Sequence, residues 1–200
     1  MPQHDDRFNV IEAGFTGDEK TARDGLGHHE PEVRASAIRA LFRMKCLHSG
    51  DIEKFLDDEN AEVRRTAVEC AVEHHDVSLT RLLNDTDVFV AEMAAWCLGE
   101  QPVTDDALRA LIEATLHHRE AVVREASAAA LGSLGDARGM NAILHACTDK
   151  PAVRRRAILA LAPFEGPEVD QALQTALSDR DWQVRQNAEI LISPRERTTE

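Results

Sequence analysis

Residues 32–44 read EVRASAIRALFRM, and the Val-Arg-x-x-Ala-x-x-Ala-Leu pattern inside them recurs at residues 63–71, 90–98, 123–131, 153–161 and 184–192. Six copies of one apolar pattern at helical spacing describe six amphipathic helices. The anchor valines stand at 33, 63, 90, 123, 153 and 184, giving steps of 30, 27, 33, 30 and 31. A period this short accommodates a helix pair, and such units bury their apolar faces only by stacking on their neighbours. The expectation is an all-α chain of about twelve helices without a sheet. The third repeat is the irregular one: 27 and 33 together make two ordinary steps, so residues 77–84 must form a short first helix, and residues 100–105 a longer loop.

Working outward from the anchors, first helices are expected over residues 18–26, 51–56, 77–83, 105–117, 137–147 and 167–177. Asn60, Asp87, Glu120 and Asp181 each stand three before an anchor, where a side-chain acceptor meets the unpaired N–H groups of a helix start. Pro31 and Pro151 suit the first turn of a helix. Residues 1–16 read as a cap in which Phe8, Ile11 and Phe15 cover the first repeat, with Gly14 and Gly17 interrupting any long helix; residues 17–193 form one repeat domain, and residues 194–200 a polar tail.

The segments LSDRDWQVRQNAEILI and LDDENAEVRRTAVECA resemble HEAT repeats, specifically the short HEAT-like repeat named after phycobilin lyases, and the resemblance covers about residues 18–192. It implies a right-handed α-α superhelical solenoid of six two-helix repeats whose second helices line a concave face. It also implies that the arginine after each anchor (Arg34, Arg64, Arg124, Arg154 and Arg185) is a structural ladder residue bonding turn carboxylates such as Asp58 or Asp179. Ala91 replaces that arginine in the third repeat and is expected to leave the local turn acids Asp85 and Asp87 without it.

Charge limits the partners. The chain carries 23 Lys plus Arg against 36 Asp plus Glu, a net charge of −13, which argues against binding a phosphate backbone. No apolar run is long enough to cross a membrane. Cys46, Cys70, Cys97 and Cys147 lack Cys-x-x-Cys spacing, and Cys70 and Cys97 fall where other repeats carry Ala40, Ala130 and Ala160, so they read as small core residues of a cytoplasmic protein. His28-His29, His74-His75 and His117-His118 adjoin acids, but His28 and His118 lie three repeats apart. HEAT-like deoxyhypusine hydroxylase holds iron with His-Glu pairs placed directly after Val-Arg, and no repeat here has one. No cofactor and no metal are expected, and no catalytic set of residues stands out.

What remains is a binding surface. Counting from each anchor, positions 0, 4, 7, 8 and 11 face the core at about 100° per residue, while positions 2, 6 and 10 point away. Position 6 reads Arg39, Glu69, Trp96, Ala129, Leu159 and Ile190, an outward stripe with large apolar members. The expected site is therefore a concave protein- or peptide-binding face carrying Arg39, Arg65, Met93, Trp96, Arg155, Arg156 and Leu159, suited to a partner with acidic and apolar residues. The alternative is an accessory or regulatory subunit of an enzyme, including one of nucleic-acid repair or modification. The oligomeric state is not legible.

Overall fold

A computed structural model describes residues 3–196. Among the described residues all regular structure is helical: twelve α-helices and three 3-10 turns, without a strand. The chain divides into two compact units, Met1–Leu79 and Thr80–Glu200. The N-terminal unit holds α1 (Gln3–Thr16), α2 (Glu19–Gly25), α3 (Pro31–Arg43), α4 (Ser49–Phe55) and α5 (Ala61–Cys70), followed by a 3-10 turn at Ala71–Glu73. The C-terminal unit opens on a 3-10 turn at Thr80–Asn84. It continues through α6 (Val88–Glu100), α7 (Asp105–His117), α8 (Ala121–Leu134), a 3-10 turn at Ala137–Gly139, α9 (Met140–Ala146), α10 (Pro151–Ala160), α11 (Pro167–Ala176) and α12 (Trp182–Glu196).

Every anchor valine is the third residue of its helix, in α3, α5, α6, α8, α10 and α12 alike. That register follows from the turns before the anchors. Asn60 accepts the N–H groups of Glu62 and Val63, Asp87 those of Phe89 and Val90, and Asp181 those of Gln183 and Val184. Glu120 makes no such cap; there the ring of His118 accepts the N–H of Glu120 at 3.1 Å, as the ring of His28 accepts that of Glu30. These two histidines do the work that Asp58, Asp85 and Asp179 do elsewhere, since each of those carboxylates accepts the N–H two residues on.

Positions 0 and 4 are buried in all six second helices, as the pattern predicts. Position 5, unmarked in the sequence reading, is equally buried in five of them: Ile38, Val68, Ala95, Ala128 and Ile158. In α12 it is the exposed Glu189. An apolar side chain at position 5 contributes about 1.5–3 kcal/mol by burial when it is a full-sized aliphatic.

Four local expectations fail. The first helix of repeat three is no α-helix but the five-residue 3-10 turn Thr80–Asn84, in a 27-residue step that is three residues shorter than the ordinary one. Gly14 does not interrupt a helix; α1 runs through it. A Cβ at Gly14 would stand 3.0 Å from the backbone of Ala40, and the same arrangement recurs at Gly99 against Ala130 and Gly132 against Ala160, each at 2.7 Å. Glycine there lets one second helix approach the alanine seven residues past the next anchor. Accordingly α1 packs on α3 much as α6 packs on α8 and α8 on α10. Its cover comes from Val10 and Ala13, both buried, whereas Phe8, Ile11 and Phe15 face outward and Phe15 lies 4.0 Å beneath the Arg43 guanidinium. At the other end α12 continues to Glu196, so part of the expected tail is helical; residues 197–200 lie outside the described residues.

Candidate functional site

Successive repeats are tied by arginine rungs. Arg34 donates from Nε and Nη2 to both oxygens of Asp58, at 2.8 and 2.7 Å, while its Nη1 donates to the carbonyls of His28 and His29. Arg124 holds Asp149 at 2.6 and 2.8 Å and the carbonyls of His118 and Arg119. Arg154 holds Asp179 at 2.8 and 2.7 Å and the carbonyl of Asp149. One planar fork thus closes its own turn and the next repeat's turn together, a bidentate geometry that lysine lacks. Arg64 and Arg185 grip their own turns in the same way, at Asp58 O (2.8 Å) and at Asp179 O (2.7 Å).

The rungs set the acidities around them. The Arg124 guanidinium holds Asp149 below the usual carboxylate range, and Arg154 does the same to Asp179. At Asp58 burial pushes upward, but the bonds from Arg34 and the Asn60 N–H outweigh it and the net direction is down. Asp181, a cap as well as a partner of Arg155, is brought down to about 2, chiefly by that guanidinium.

Because each rung reaches forward, the expectation for Ala91 needs correction. Asp85 accepts the N–H of Asp87, and Asp87 caps α6, so the local acids are engaged. What an arginine at 91 would have met is the next turn, where the residue five before the anchor is His118 instead of aspartate. The other histidine at that position, His28, likewise receives no arginine among the described residues: its Nε2 lies 3.4 Å from Asp6 of α1. Histidine at the turn therefore marks a rung without arginine, a covariation present in the sequence but visible only once the direction of the rung is known.

The outward row differs between the units. In the N-terminal unit Arg39 donates to Glu62 at 3.0 Å and lies 3.8 Å from Glu69, and Arg65 closes on Glu62 at 2.8 Å. In the C-terminal unit the same register carries Trp96 (45% exposed), Ala129, Leu159 (38%) and Ile190 (55%) on α6, α8, α10 and α12, with Phe89 (61%) and the partly exposed Met93 beside Trp96. Arg155 is held by Asp181 at 2.5 Å, and Arg156 stands 3.8 Å from Glu125. Asn187 of α12 donates to the carbonyl of Arg155, fastening two of the four helices beneath the row. The helix α6 is apolar on nearly every side, with Glu92 and Glu100 its only charged residues. A helix of that composition is normally covered all round.

Cys97 is fully buried and its thiol, like that of Cys147, is pushed up to about 12 by burial, the opposite of a reactive cysteine. Among the described residues no three His, Cys, Asp or Glu side chains gather as metal ligands, and no helix is long and apolar enough to cross a membrane.

Comparisons with known proteins agree with this architecture. No curated protein matches. Among solved structures, an engineered protein superposes with a TM-score of 0.60 at 20% identity, covering 88% of this chain and 95% of its own. Human deoxyhypusine hydroxylase, solved with glycerol, gives 0.51 at 21% identity over 94% of this chain and 77% of its own. A designed armadillo repeat protein solved with the peptide (KR)4 gives 0.56 at 17% identity over 92% and 97%. At such identities the likeness is one of fold. The family model for HEAT repeats matches residues 49–132 and 108–193, most of the chain, and with the repeat register and inter-repeat rungs described above it places this protein in the HEAT repeat family.

Proposed function

We propose that this protein is a non-catalytic scaffold that docks a protein or peptide on the second-helix face of its C-terminal unit, centred on Trp96 with Met93 and Leu159, and with Arg155 and Arg156 at the rim. The observation that carries this reading is the row of aligned apolar side chains left in water on four stacked helices. Single exposed leucines are ordinary, whereas a contiguous apolar patch bordered by charged residues is the usual mark of an interface. Large apolar anchors such as Trp supply most of the energy of such contacts. Arg39 and Arg65, on the equivalent register of the N-terminal unit, are engaged by Glu62 and Glu69 and offer less to a partner. A structural relative that carries a bound peptide supports the use of this fold in peptide recognition. A cytoplasmic setting, with none of the four cysteines in a disulfide, belongs to the same reading.

The test is a random dodecapeptide display selection against the folded protein, with counter-selection on the Trp96→Ala/Leu159→Ala variant. Sequences enriched on the wild type, retained by Arg39→Ala and lost by the double variant are expected. Enrichment that ignores the double variant would place docking elsewhere.

A further inference from the structure

Three departures from the repeat meet at the turn before α8: a rung without arginine, a histidine in place of the turn aspartate, and a shortened first helix. Gly14 makes the same close approach as Gly99 and Gly132, so α1 shares the register of α6 and α8. Eight residues before these glycines stand Asp6, Ala91 and Arg124, which puts Asp6 at a rung position. Asp6 lies 3.4 Å from His28, and the roles of an Arg–Asp rung are exchanged there: the helix brings the carboxylate and the turn brings the donor. His28 Nδ1 accepts the N–H of Glu30, which leaves the proton of the neutral ring on Nε2, the atom that faces Asp6. His118 is prepared in the same way, since its Nδ1 accepts the N–H of Glu120 at 3.1 Å. The rung position before it is Ala91, and among the described residues no carboxylate stands at His118 as Asp6 stands at His28.

His118 also lines a cavity of about 320 Å³, with Leu83, Ala110 and Ala114 as its apolar part and Asn84, Glu113 and His117 as its polar part. Leu83 and Asn84 belong to the 3-10 turn that stands in for an α-helix in this repeat, and the α7 residues belong to a first helix, not to the outward row. A cavity of about 330 Å³ two repeats further on is lined by the equivalent turn residue, Asp179, but there both carboxylate oxygens are taken by Arg154. We propose that the His118 cavity binds a small zwitterion, a free α-amino acid with a short aliphatic side chain. Its carboxylate accepts from His118 Nε2 and the Asn84 amide, in the place that Asp6 holds at His28. Its ammonium meets Glu113, which is exposed at the rim, and its side chain lies on Leu83, Ala110 and Ala114. The lining selects this combination: a carboxylate alone would face Glu113 unneutralised, and an amine alone would leave the two donors unmatched. Glu113 and His118 are five residues apart, about 7.5 Å along the helix axis, a gap that two charge-assisted contacts of about 2.8 Å and one amino-acid head group fill. The volume lies at the low end of ligand sites, which run from about 300 to 1,000 Å³, and so suits a small molecule.

The test follows the histidine ring nitrogens by nuclear magnetic resonance while the full chain is titrated with L-valine, and with isovalerate and isobutylamine as its two halves. The His118 signals are identified by their loss in His118→Gln. L-Valine is expected to shift His118 Nε2 saturably, with a dissociation constant on the order of 1–10 mM, and to leave His28, already held by Asp6, unmoved. Isovalerate should bind about tenfold more weakly, and isobutylamine should not move His118. Glu113→Gln, at an exposed position where the melting temperature should not change, is expected to bring L-valine down to the level of isovalerate. Equal wild-type affinities for L-valine and isovalerate, or a Glu113→Gln protein that still prefers L-valine, would overturn the zwitterion. Equal shifts at His28 and His118 would mean a general solvent effect and would overturn the site. Silence of His118 up to about 100 mM L-valine, ten times the weakest expected constant, would do the same.

Discussion

The two units place the same register of the same helix on their outward rows and fill it with opposite chemistry. In the N-terminal unit Arg39, Arg65, Glu62 and Glu69 satisfy one another, whereas the C-terminal unit sets Trp96, Ala129, Leu159 and Ile190 in water. Beneath both rows positions 0 and 4 are buried, so stacking fixes the inner register in each unit and leaves the outer one free. A self-paired ionic row needs nothing from outside. An apolar row that remains exposed on a helix already apolar all round is stabilised only by something that covers it.

The largest effects are expected where the units agree. Arg34→Ala and Arg154→Ala should each cost about 3 kcal/mol, because each leaves a nearly buried carboxylate without its counter-charge. That corresponds to a fall of roughly 6–12 °C in melting temperature. Arg185→Ala, whose guanidinium among the described residues holds only its own turn, should cost about 1 kcal/mol. A full-sized loss at Arg185, or none at Arg34, would dissolve the equivalence of the two stacks.

The ladder gap is sharpened by repair. Ala91→Arg combined with His118→Asp should stabilise the protein by about 1 kcal/mol in urea titrations, while either change alone should fail to do so, giving a positive coupling in a double-mutant cycle. Additive singles would show that the rung at the third repeat cannot form.

Acid should weaken both units through the same groups. Asp58, Asp149 and Asp179 have folded values lowered from an ordinary 3.8, so their stabilisation is present above that value and disappears as pH falls through the lowered ones. Melting temperature should therefore drop between about pH 4 and pH 2, with Asp181, at about 2, among the last to protonate. The Arg154→Ala variant should show a shallower drop over that interval. On the outward row the smallest stability effects are expected: about 0.2–1 kcal/mol for Arg39→Ala and about 0.5 kcal/mol or less for Trp96→Ala.

Much of this was legible in the sequence because a repeat prints its own core: the anchors, positions 0 and 4, the capping residues Asn60, Asp87 and Asp181, and the outward placement of Trp96 and Leu159 all follow from helical periodicity. What escaped was relational. Arg34 and Asp58 are 24 residues apart, and Arg124 and Asp149 are 25, so the partner of Ala91 could be found only by pairing each anchor arginine with the following turn. Gly14 reads as a helix breaker until Gly99 and Gly132 show the same close approach to an alanine on the next repeat's second helix. Charge on an outward row also misleads when each arginine has its acid on a neighbouring turn, as Arg155 has Asp181.

The central claim is that the apolar row of the C-terminal unit is a surface kept for a partner and not displaced core. Titration of a display-selected peptide into the Trp96→Glu variant tests it most directly, since that change gives α6 the residue α5 already carries at the same register, Glu69. The account predicts that binding weakens by at least about thirtyfold, the equivalent of about 2 kcal/mol at an interface anchor, while the melting temperature stays within about 2 °C of wild type. A collapsed melting temperature together with unchanged peptide affinity in the protein that remains folded would contradict it.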